Sequence, residues 1–137
     1  MSTSSILLVE DHQAYASTLM SVLNKEENPH IVAVVDTIEK AMEKLAELQI
    51  DLVLVDISLP RVNGIDLMAE IRKQYPDLRC VMLSGHLSPE YVRRALDAGA
   101  RGYLLKDDLA GILAGIQQVF KGGIYVSKEL GDLPPSP

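Results

Sequence analysis

Short apolar runs alternate with amphipathic stretches along the whole chain. Five runs have the length and composition of β-strands, at residues 6–9, 31–35, 52–55, 80–83 and 102–105. The middle run has no polar alternation, which favours a strand that is covered on both faces. Between the runs, apolar residues recur at helical spacing, most clearly in the set Leu109, Ile112, Leu113, Ile116, Val119 and Phe120.

Residues that commonly begin helices stand where the helical patterns start. Thr37 and Asn63 are expected N-caps, and Ser88 is an expected N-cap followed by Pro89 at the first helical position. Alternating strands and helices imply right-handed crossovers between parallel strands. The sequence therefore predicts a doubly wound α/β fold with a five-stranded parallel sheet and helices on both faces. In such a sheet, ligands bind at the carboxyl ends of the strands.

Composition and charge exclude some classes of function. The 137 residues suit one domain, and the net charge of -6 without a basic stripe makes this chain a poor candidate for binding nucleic acid. The first apolar run is too short for a membrane span or a signal peptide, and no Lys or Arg precedes it. We therefore expect a cytoplasmic protein with no membrane partner. The single cysteine, Cys80, lies in an apolar segment and is expected in the core.

Ionisable or hydroxyl side chains follow the first, third, fourth and fifth predicted strands. Glu10 and Asp11 come after the first strand, Asp56 after the third, Ser84 after the fourth and Lys106 after the fifth. Each alone has an ordinary explanation, because acidic residues cap helices and a terminal Ser or Lys is usually solvated. Together they fall at the edge of the sheet where this fold binds ligands, which indicates a functional site.

The chemistry of this set points to a cation and a phosphoryl group. Three converging carboxylates repel one another unless a cation lies among them, and carboxylate oxygens with water suit Mg²⁺. One carboxylate could then act as a nucleophile toward phosphorus, a reaction that needs mainly positioning and charge neutralisation. Lys106 would pair with the phosphoryl oxygens, Ser84 would donate a hydrogen bond, and Gly85 would leave room for the incoming group.

Four motifs carry a resemblance to a known family. They are Val9-Glu10-Asp11-His12, the stretch 56–64 from Asp56 to Gly64, Leu83-Ser84-Gly85, and Tyr103-Leu104-Leu105-Lys106. With these motifs the chain resembles the receiver domain of two-component response regulators along nearly all of its length.

The resemblance implies a role for each site residue. It implies that Mg²⁺ is held by Glu10, Asp11, Asp56 and the backbone carbonyl of Ser58. It also implies that Asp56 takes a phosphoryl group from the phosphohistidine of a sensor histidine kinase, with the group bound by Ser84 and Lys106. Tyr103 matches the aromatic switch of the family, which turns inward as the hydroxyl residue moves toward the phosphate. Such a domain is a phosphoacceptor that catalyses its own phosphorylation and slow dephosphorylation, rather than an enzyme with a separate substrate.

One position departs from the family pattern. The family lysine is commonly followed by proline, often through a cis bond, whereas Asp107 follows Lys106 here. A cis bond before a residue other than proline costs about 3 kcal/mol, so we expect a trans peptide.

Segments 102–107 and 122–127 resemble receivers that precede a LuxR-type helix-turn-helix domain. This resemblance implies a receiver domain at residues 1–123 and the start of an interdomain linker at residues 124–137, which end in a Pro-rich stretch. The output domain would be absent from this chain. DNA binding and control of transcription would then belong to that C-terminal domain.

Alternative functions are less compatible with the residues. A haloacid-dehalogenase-like phosphatase would have a second Asp at the position of Ser58, and a flavodoxin-like cofactor site would place its phosphate against Glu10 and Asp11. A phosphate-independent interaction module is expected to lack part of the set. A stand-alone receiver that acts by protein–protein interaction or phosphorelay stays open. His86 could lie over the phosphate or be an exposed loop side chain.

Small residues on two helices suggest a homodimer. Opposite the apolar stripe of the last helix lie Ala110, Gly111, Ala114, Gly115 and Gln118, and each interior glycine costs about 1 kcal/mol relative to alanine. The outer side of the first helix carries a similar set, Ala14, Ser17, Thr18 and Ser21. The first and last helices cover the same side of the sheet in this fold. Our hypothesis is that these faces of helix one and helix five form a homodimer surface.

Overall fold

Strands and helices alternate through the chain. The computed structural model describes residues 4–25, 28–85 and 88–127. In chain order the elements are β1 Ser5–Val9, α1 Gln13–Leu23, β2 His30–Val35, α2 Ile38–Glu47, β3 Leu52–Asp56, α3 Gly64–Gln74, β4 Arg79–Ser84, α4 Pro89–Asp97, β5 Gly102–Leu105, α5 Leu109–Phe120 and β6 Tyr125–Val126. The expectations for His86 and for the Pro-rich stretch lie outside the described residues.

The strands form one parallel sheet in the order β2-β1-β3-β4-β5-β6. The doubly wound α/β fold is therefore confirmed, and each of the five predicted strands is present. A sixth strand, β6, lies beside β5 with Gly102 opposite Tyr125 and Tyr103 opposite Val126. The sequence places these residues at the start of a linker, because two residues are too few to show a strand pattern. The boundary after residue 123 stays a prediction.

Side chains of the strands alternate between two apolar cores. One core lies between the sheet and α2, α3 and α4, and the other lies between the sheet and α1 and α5. In β3, Val53 and Val55 belong to the first core, while Leu52 and Leu54 belong to the second. All four residues are fully buried, so β3 is covered on both faces as its sequence predicts.

The predicted helix starts are confirmed. Thr37, Asn63 and Ser88 each accept a backbone N–H of the following turn through their side chains, and Pro89 is the first residue of α4. Asp108 caps α5 in the same way. These caps satisfy backbone donors that a helix start otherwise leaves unpaired.

The prediction that Gly115 faces outward is wrong. Gly115 is buried, and a Cβ there would lie 2.6 Å from Leu104 Cδ2 and 2.8 Å from Tyr125 Cδ1. The reason is that α5 packs here against both β5 and β6, a broader surface than its apolar stripe suggests. Ala110, Ala114 and Gln118 are exposed and Gly111 is half-buried. The expected outer residues of α1 are all exposed, namely Ala14, Ser17, Thr18 and Ser21.

Cys80 lies in the core, as expected. It is fully buried in β4, and burial raises the pKa of its thiol to about 12. A thiol in such a setting is nonreactive, because the thiolate is the reactive form. Within the described ranges, no helix is both long enough and apolar enough to cross a membrane.

Candidate functional site

The residues predicted for the site meet at the carboxyl edge of the sheet. Strands β1, β3, β4 and β5 are consecutive neighbours, with Val9 opposite Val55 and Ser84 opposite Leu105. Because the strands are parallel and in register, the residues that end them lie side by side. The edge thus collects Glu10, Asp56, Ser84 and Lys106.

Three carboxylates form the centre of this edge. Glu10, Asp11 and Asp56 each offer a carboxylate oxygen, and these oxygens all lie within 4.8 Å of one another. Glu10 and Asp56 are buried, whereas Asp11 is exposed. Oxygen donors with one open, solvated side suit a hard cation that keeps some of its water. The acidic pocket could therefore hold a metal ion.

Lys106 neutralises part of this negative charge. Its Nζ lies 2.5 Å from Glu10 Oε1 and 3.2 Å from Asp56 Oδ2. Burial lowers the pKa of Lys106, but the contacts with Glu10 and Asp56 outweigh burial, so the pKa lies above its ordinary value. The ammonium is therefore charged at neutral pH, and it contacts two of the three carboxylates.

Glu10 shows the electrostatic cost of the cluster. Burial, together with the contact with Asp56, raises the pKa of Glu10 to about 7, although Lys106 acts in the opposite direction. Near neutral pH without a cation, this carboxyl group is partly protonated. A bound cation would favour the ionised form, so the site gains charge balance when a metal enters.

The loop after Asp56 is fixed by backbone contacts. The Ser58 N–H donates to Asp56 Oδ1 at 3.0 Å, and the Gly64 N–H donates to the Ile57 carbonyl at 2.9 Å. A Cβ on Gly64 would lie 2.1 Å from the Asp56 backbone oxygen, so only glycine fits there. The sequence places Gly64 inside a motif but carries no local signal of this approach. Ligation of a metal by the Ser58 carbonyl stays a prediction.

Ser84 and Tyr103 lie on the side of the site next to β5. Ser84 is buried, and its backbone carbonyl accepts the Lys106 N–H at 2.9 Å. Tyr103 is fully buried in the core beneath α4, so its side chain is turned inward. Burial raises the pKa of Tyr103, and the Ser84 side chain opposes this effect. A change of Tyr103 orientation on phosphorylation stays a prediction.

Tyr15 is a site residue that sequence reasoning missed. Its hydroxyl donates to the Lys106 carbonyl at 2.8 Å, and Lys106 Nζ lies 5.0 Å from the centre of its ring. The sequence fits Tyr15 to the buried side of α1 as well as to a site, so it does not single this residue out. A contact between residues 91 positions apart leaves no local sequence signal. Within the described part of the chain, the only cis peptide precedes Pro29, so the Lys106–Asp107 peptide is trans, as expected.

A cleft opens beside the acidic pocket. Its volume is about 470 Å³, and it lies between the start of α2 and the loop 59–62. Of the predicted site residues it is lined only by Asp11, so it flanks the carboxylate cluster rather than containing it.

The family of the chain follows from comparison with known sequences. The family described as the response regulator receiver domain matches residues 6–117. The chain belongs to this family, and the resemblance of its motifs is confirmed.

Relatives of this chain include regulators of transcription. The transcriptional regulatory protein DegU of Brevibacillus brevis is 33% identical over 122 residues, which cover 88% of this chain and 52% of DegU. The DNA-binding transcriptional activator DevR/DosR of Mycobacterium tuberculosis is 32% identical over 102 residues, which cover 74% of this chain and 47% of that protein. The chain thus spans about half the length of these relatives.

Solved structures show the same fold. A LuxR-family two-component response regulator from Aurantimonas sp. SI85-9A1 has a TM-score of 0.88 and 26% identity, with 94% of this chain and 93% of that chain covered. A CheY-like receiver domain protein from Methanospirillum hungatei JF-1 has a TM-score of 0.77 and 26% identity, with 88% of this chain and 96% of that chain covered.

Proposed function

We propose that this chain is the phosphoacceptor domain of a response regulator and that Asp56 accepts a phosphoryl group from a sensor histidine kinase. One observation carries the proposal. Three carboxylates have oxygens within 4.8 Å of one another, and the Lys106 ammonium contacts two of them, Glu10 and Asp56, with 3.2 Å to Asp56 Oδ2. The carboxylates are not fully balanced by positive charge, so the site can bind a further cation. The Asp56 carboxylate also lies beside the Lys106 ammonium, and phosphoryl transfer requires a nucleophile positioned beside positive charge.

The transfer uses the groups at the strand ends. A carboxylate oxygen of Asp56 forms a bond to phosphorus as the phosphorus–nitrogen bond of the phosphohistidine breaks, and the imidazole leaves with the electron pair. Glu10, Asp11, Asp56 and the Ser58 carbonyl would hold Mg²⁺, which would supply charge neutralisation for the phosphoryl group. Lys106 contributes its ammonium to the same oxygens. This Lys already reaches Asp56, so it needs only to leave Glu10.

The signal leaves the site through β5. Ser84 donates a hydrogen bond to the phosphoryl group, and its movement toward that group favours the inward orientation that Tyr103 has in this structure. Both Tyr103 and Lys106 belong to β5 or its end, and β5 pairs with β4 and β6. A shift of Lys106 toward the phosphoryl group would therefore displace β5 relative to β4 and β6. The domain removes its own phosphoryl group slowly and has no separate substrate.

The output is control of transcription in the cytoplasm through a DNA-binding domain that follows this chain. The named relatives are transcriptional regulators of which this chain covers about half, and one similar structure is a LuxR-family regulator. A receiver that acts alone by protein–protein contact or phosphorelay is the alternative. It would retain all of the phosphoryl chemistry, so only the full-length protein distinguishes the two.

The test of the proposal is incubation with acetyl phosphate and Mg²⁺, followed by intact mass measurement. The parent protein should gain one phosphoryl group, and both Asp56→Asn and the addition of EDTA should prevent the gain. Asp51→Asn is the matched control, since Asp51 contacts Ser5 at the opposite end of the strands. A phosphorylated Asp56→Asn variant would falsify the assignment.

A homodimer through the outer faces of α1 and α5 is a second proposal. Ala14, Ser17, Ala110 and Ala114 are all exposed on two helices that cover the same side of the sheet. Small side chains allow close approach of two backbones. Gly115 is buried and cannot serve as the test position, so Ala114→Arg replaces it. Analytical ultracentrifugation with beryllofluoride should show a dimer for the parent and for the α2 control Ala46→Arg, and a monomer for Ala114→Arg.

A further inference from the structure

Tyr15 contacts Lys106 at both ends of the lysine residue. The Tyr15 hydroxyl donates to the Lys106 backbone carbonyl at 2.8 Å, and the Lys106 ammonium lies 5.0 Å from the centre of the Tyr15 ring. No other aromatic ring has a described contact with this ammonium. A lysine side chain has many rotamers in solution, so two contacts on one residue restrict it strongly.

The Tyr15 hydroxyl is a second anchor for the backbone at Lys106. Lys106 stands directly after β5, where the chain turns toward α5, and its carbonyl has no ladder partner among the described strands. The turn closes through a long hydrogen bond of 3.2 Å from the Asp108 N–H to the Leu105 carbonyl. The Lys106 N–H donates to the Ser84 carbonyl at 2.9 Å, and the Tyr15 hydroxyl holds the peptide plane on the other side of the Lys106 Cα.

The Tyr15 hydroxyl remains a donor across the physiological range. Burial raises the pKa of Tyr15, and the nearby charges of Glu10, Asp107 and Asp56 raise it further. The ring is half-buried on α1, which is packed on the same side of the sheet as α5. The helix that begins just after the acidic pair thus also carries the group that holds the lysine.

We infer that Tyr15 is a positioning residue for phosphoryl binding: its hydroxyl fixes the Lys106 backbone, and its ring confines the Lys106 ammonium beside Asp56. This inference rests on the proposed function, because the phosphoryl group is what the positioned ammonium would meet. Lys106 is not among the residues proposed to hold Mg²⁺, so loss of Tyr15 should impair phosphoryl chemistry and leave Mg²⁺ affinity unchanged.

Two variants of Tyr15 separate its hydroxyl from its ring. Tyr15→Phe removes one hydrogen bond and should slow phosphorylation by acetyl phosphate about fivefold. Tyr15→Leu removes the ring as well and should slow it about twentyfold. Tyr75→Phe, at the opposite end of the molecule, is the control and should phosphorylate at the parent rate. Mg²⁺ affinity, followed by calorimetry, should be unchanged in all three variants.

A double-mutant cycle distinguishes positioning from a structural role. Lys106→Met keeps the carbonyl that Tyr15 binds but removes the ammonium. If Tyr15 acts through that ammonium, Tyr15→Phe should have no further effect on the phosphorylation rate in the Lys106→Met background. An equal effect in both backgrounds would overturn the inference.

The remaining outcomes are also decisive. A parent-like rate for Tyr15→Phe, or a loss of Mg²⁺ affinity that parallels the loss of rate, overturns the positioning role while leaving the phosphoacceptor function intact. A parent protein that gains no phosphoryl group with Mg²⁺ overturns the proposed function and this inference with it.

Discussion

Val55 and Asp56 are neighbours in β3 and are almost equally buried, at 0% and 2% exposure, yet they belong to opposite regions of the molecule. Val55 ends the apolar interior of the sheet, and Asp56 begins its charged carboxyl edge. Burial of an apolar side chain stabilises the fold by about 2 kcal/mol. Burial of a carboxylate costs free energy unless hydrogen bonds and opposite charges offset the loss of water.

This difference shows which part of the molecule can gain free energy by binding a ligand. The interior is complete without any partner, since its apolar side chains fill both cores. At the edge, Lys106 contacts Glu10 and Asp56, but a single ammonium cannot balance three carboxylates. A cation or a phosphoryl group with its metal can therefore gain binding energy at the edge and cannot do so in the interior.

The interior should respond most strongly to loss of apolar volume. Leu54 is fully buried in β3, and Leu54→Ala should lower the free energy of unfolding by about 3 kcal/mol because it leaves a cavity. Urea denaturation measures the loss. Leu48→Ala, at a position that is 39% exposed, is the control and should lose less than about 1 kcal/mol. Equal losses at the two positions would mean that the interior is not the more sensitive region.

The second largest loss of stability is expected at Gly64, where the backbone of α3 approaches Asp56. Gly64→Ala places a Cβ 2.1 Å from the Asp56 backbone oxygen, so we expect a loss of about 2 kcal/mol and slower phosphorylation of Asp56. In an ordinary helix the same change would stabilise by up to about 1 kcal/mol, so the sign alone is informative. Gly85→Ala meets no atom within 4 Å and is the control for stability. Stabilisation by Gly64→Ala would contradict the close approach of α3 to Asp56.

The charged edge should respond to pH in the direction opposite to a typical carboxylate. The pKa of Glu10 is about 7 in the folded protein against an ordinary 4.5, so the folded state binds the extra proton between these values. Without metal, the contribution of Glu10 to stability is therefore present at low pH and lost as the pH rises through about 7.

Glu10→Gln isolates this effect. Relative to the parent in EDTA, the variant should gain about 2 kcal/mol between pH 5 and pH 8. Saturating Mg²⁺ should remove the pH-dependent loss in the parent, because a cation favours ionised Glu10. The measurement is urea denaturation at each pH. A constant difference between parent and variant would show that Glu10 titrates normally.

Substitutions of exposed charged residues should change the free energy of unfolding least. Lys73 contacts Glu70 at 2.9 Å, but the two side chains are 71% and 59% exposed. Lys73→Ala should change the free energy of unfolding by less than about 0.5 kcal/mol, because water screens this pair. A loss of more than about 1 kcal/mol in the free energy of unfolding at low salt would show that this exposed ion pair matters as much as a buried one. Lys40→Ala, which breaks the exposed contact with Asp36, should behave alike.

The sequence predicts those features that local pattern controls. Five strands and three N-caps are found where apolar runs and capping residues indicate them. The site residues meet because parallel strands in register bring their carboxyl ends together, which is a property of the fold class rather than of any single residue.

The missed features all depend on contacts between distant segments. Strand β6 pairs with the edge of β5, and Gly115 is buried against Leu104 of β5 and Tyr125 of β6. Tyr15 reaches Lys106 across 91 positions, and Gly64 approaches Asp56 through the fold of a loop. In each case the neighbour that gives the residue its role is absent from its own segment, so no periodicity or spacing could show it.

The labelling rate of Cys80 can report how often the sheet opens transiently. It is the single thiol in the chain, it lies in β4 in the middle of the sheet, and burial keeps it protonated. A thiol reagent can reach it only in molecules whose sheet has transiently separated, so the rate of labelling counts those events. Addition of Mg²⁺ or beryllofluoride should slow labelling, and the logarithm of that slowing should be proportional to the binding energy gained at the carboxyl edge. Occupancy of the site could thus be followed from a residue that never touches it.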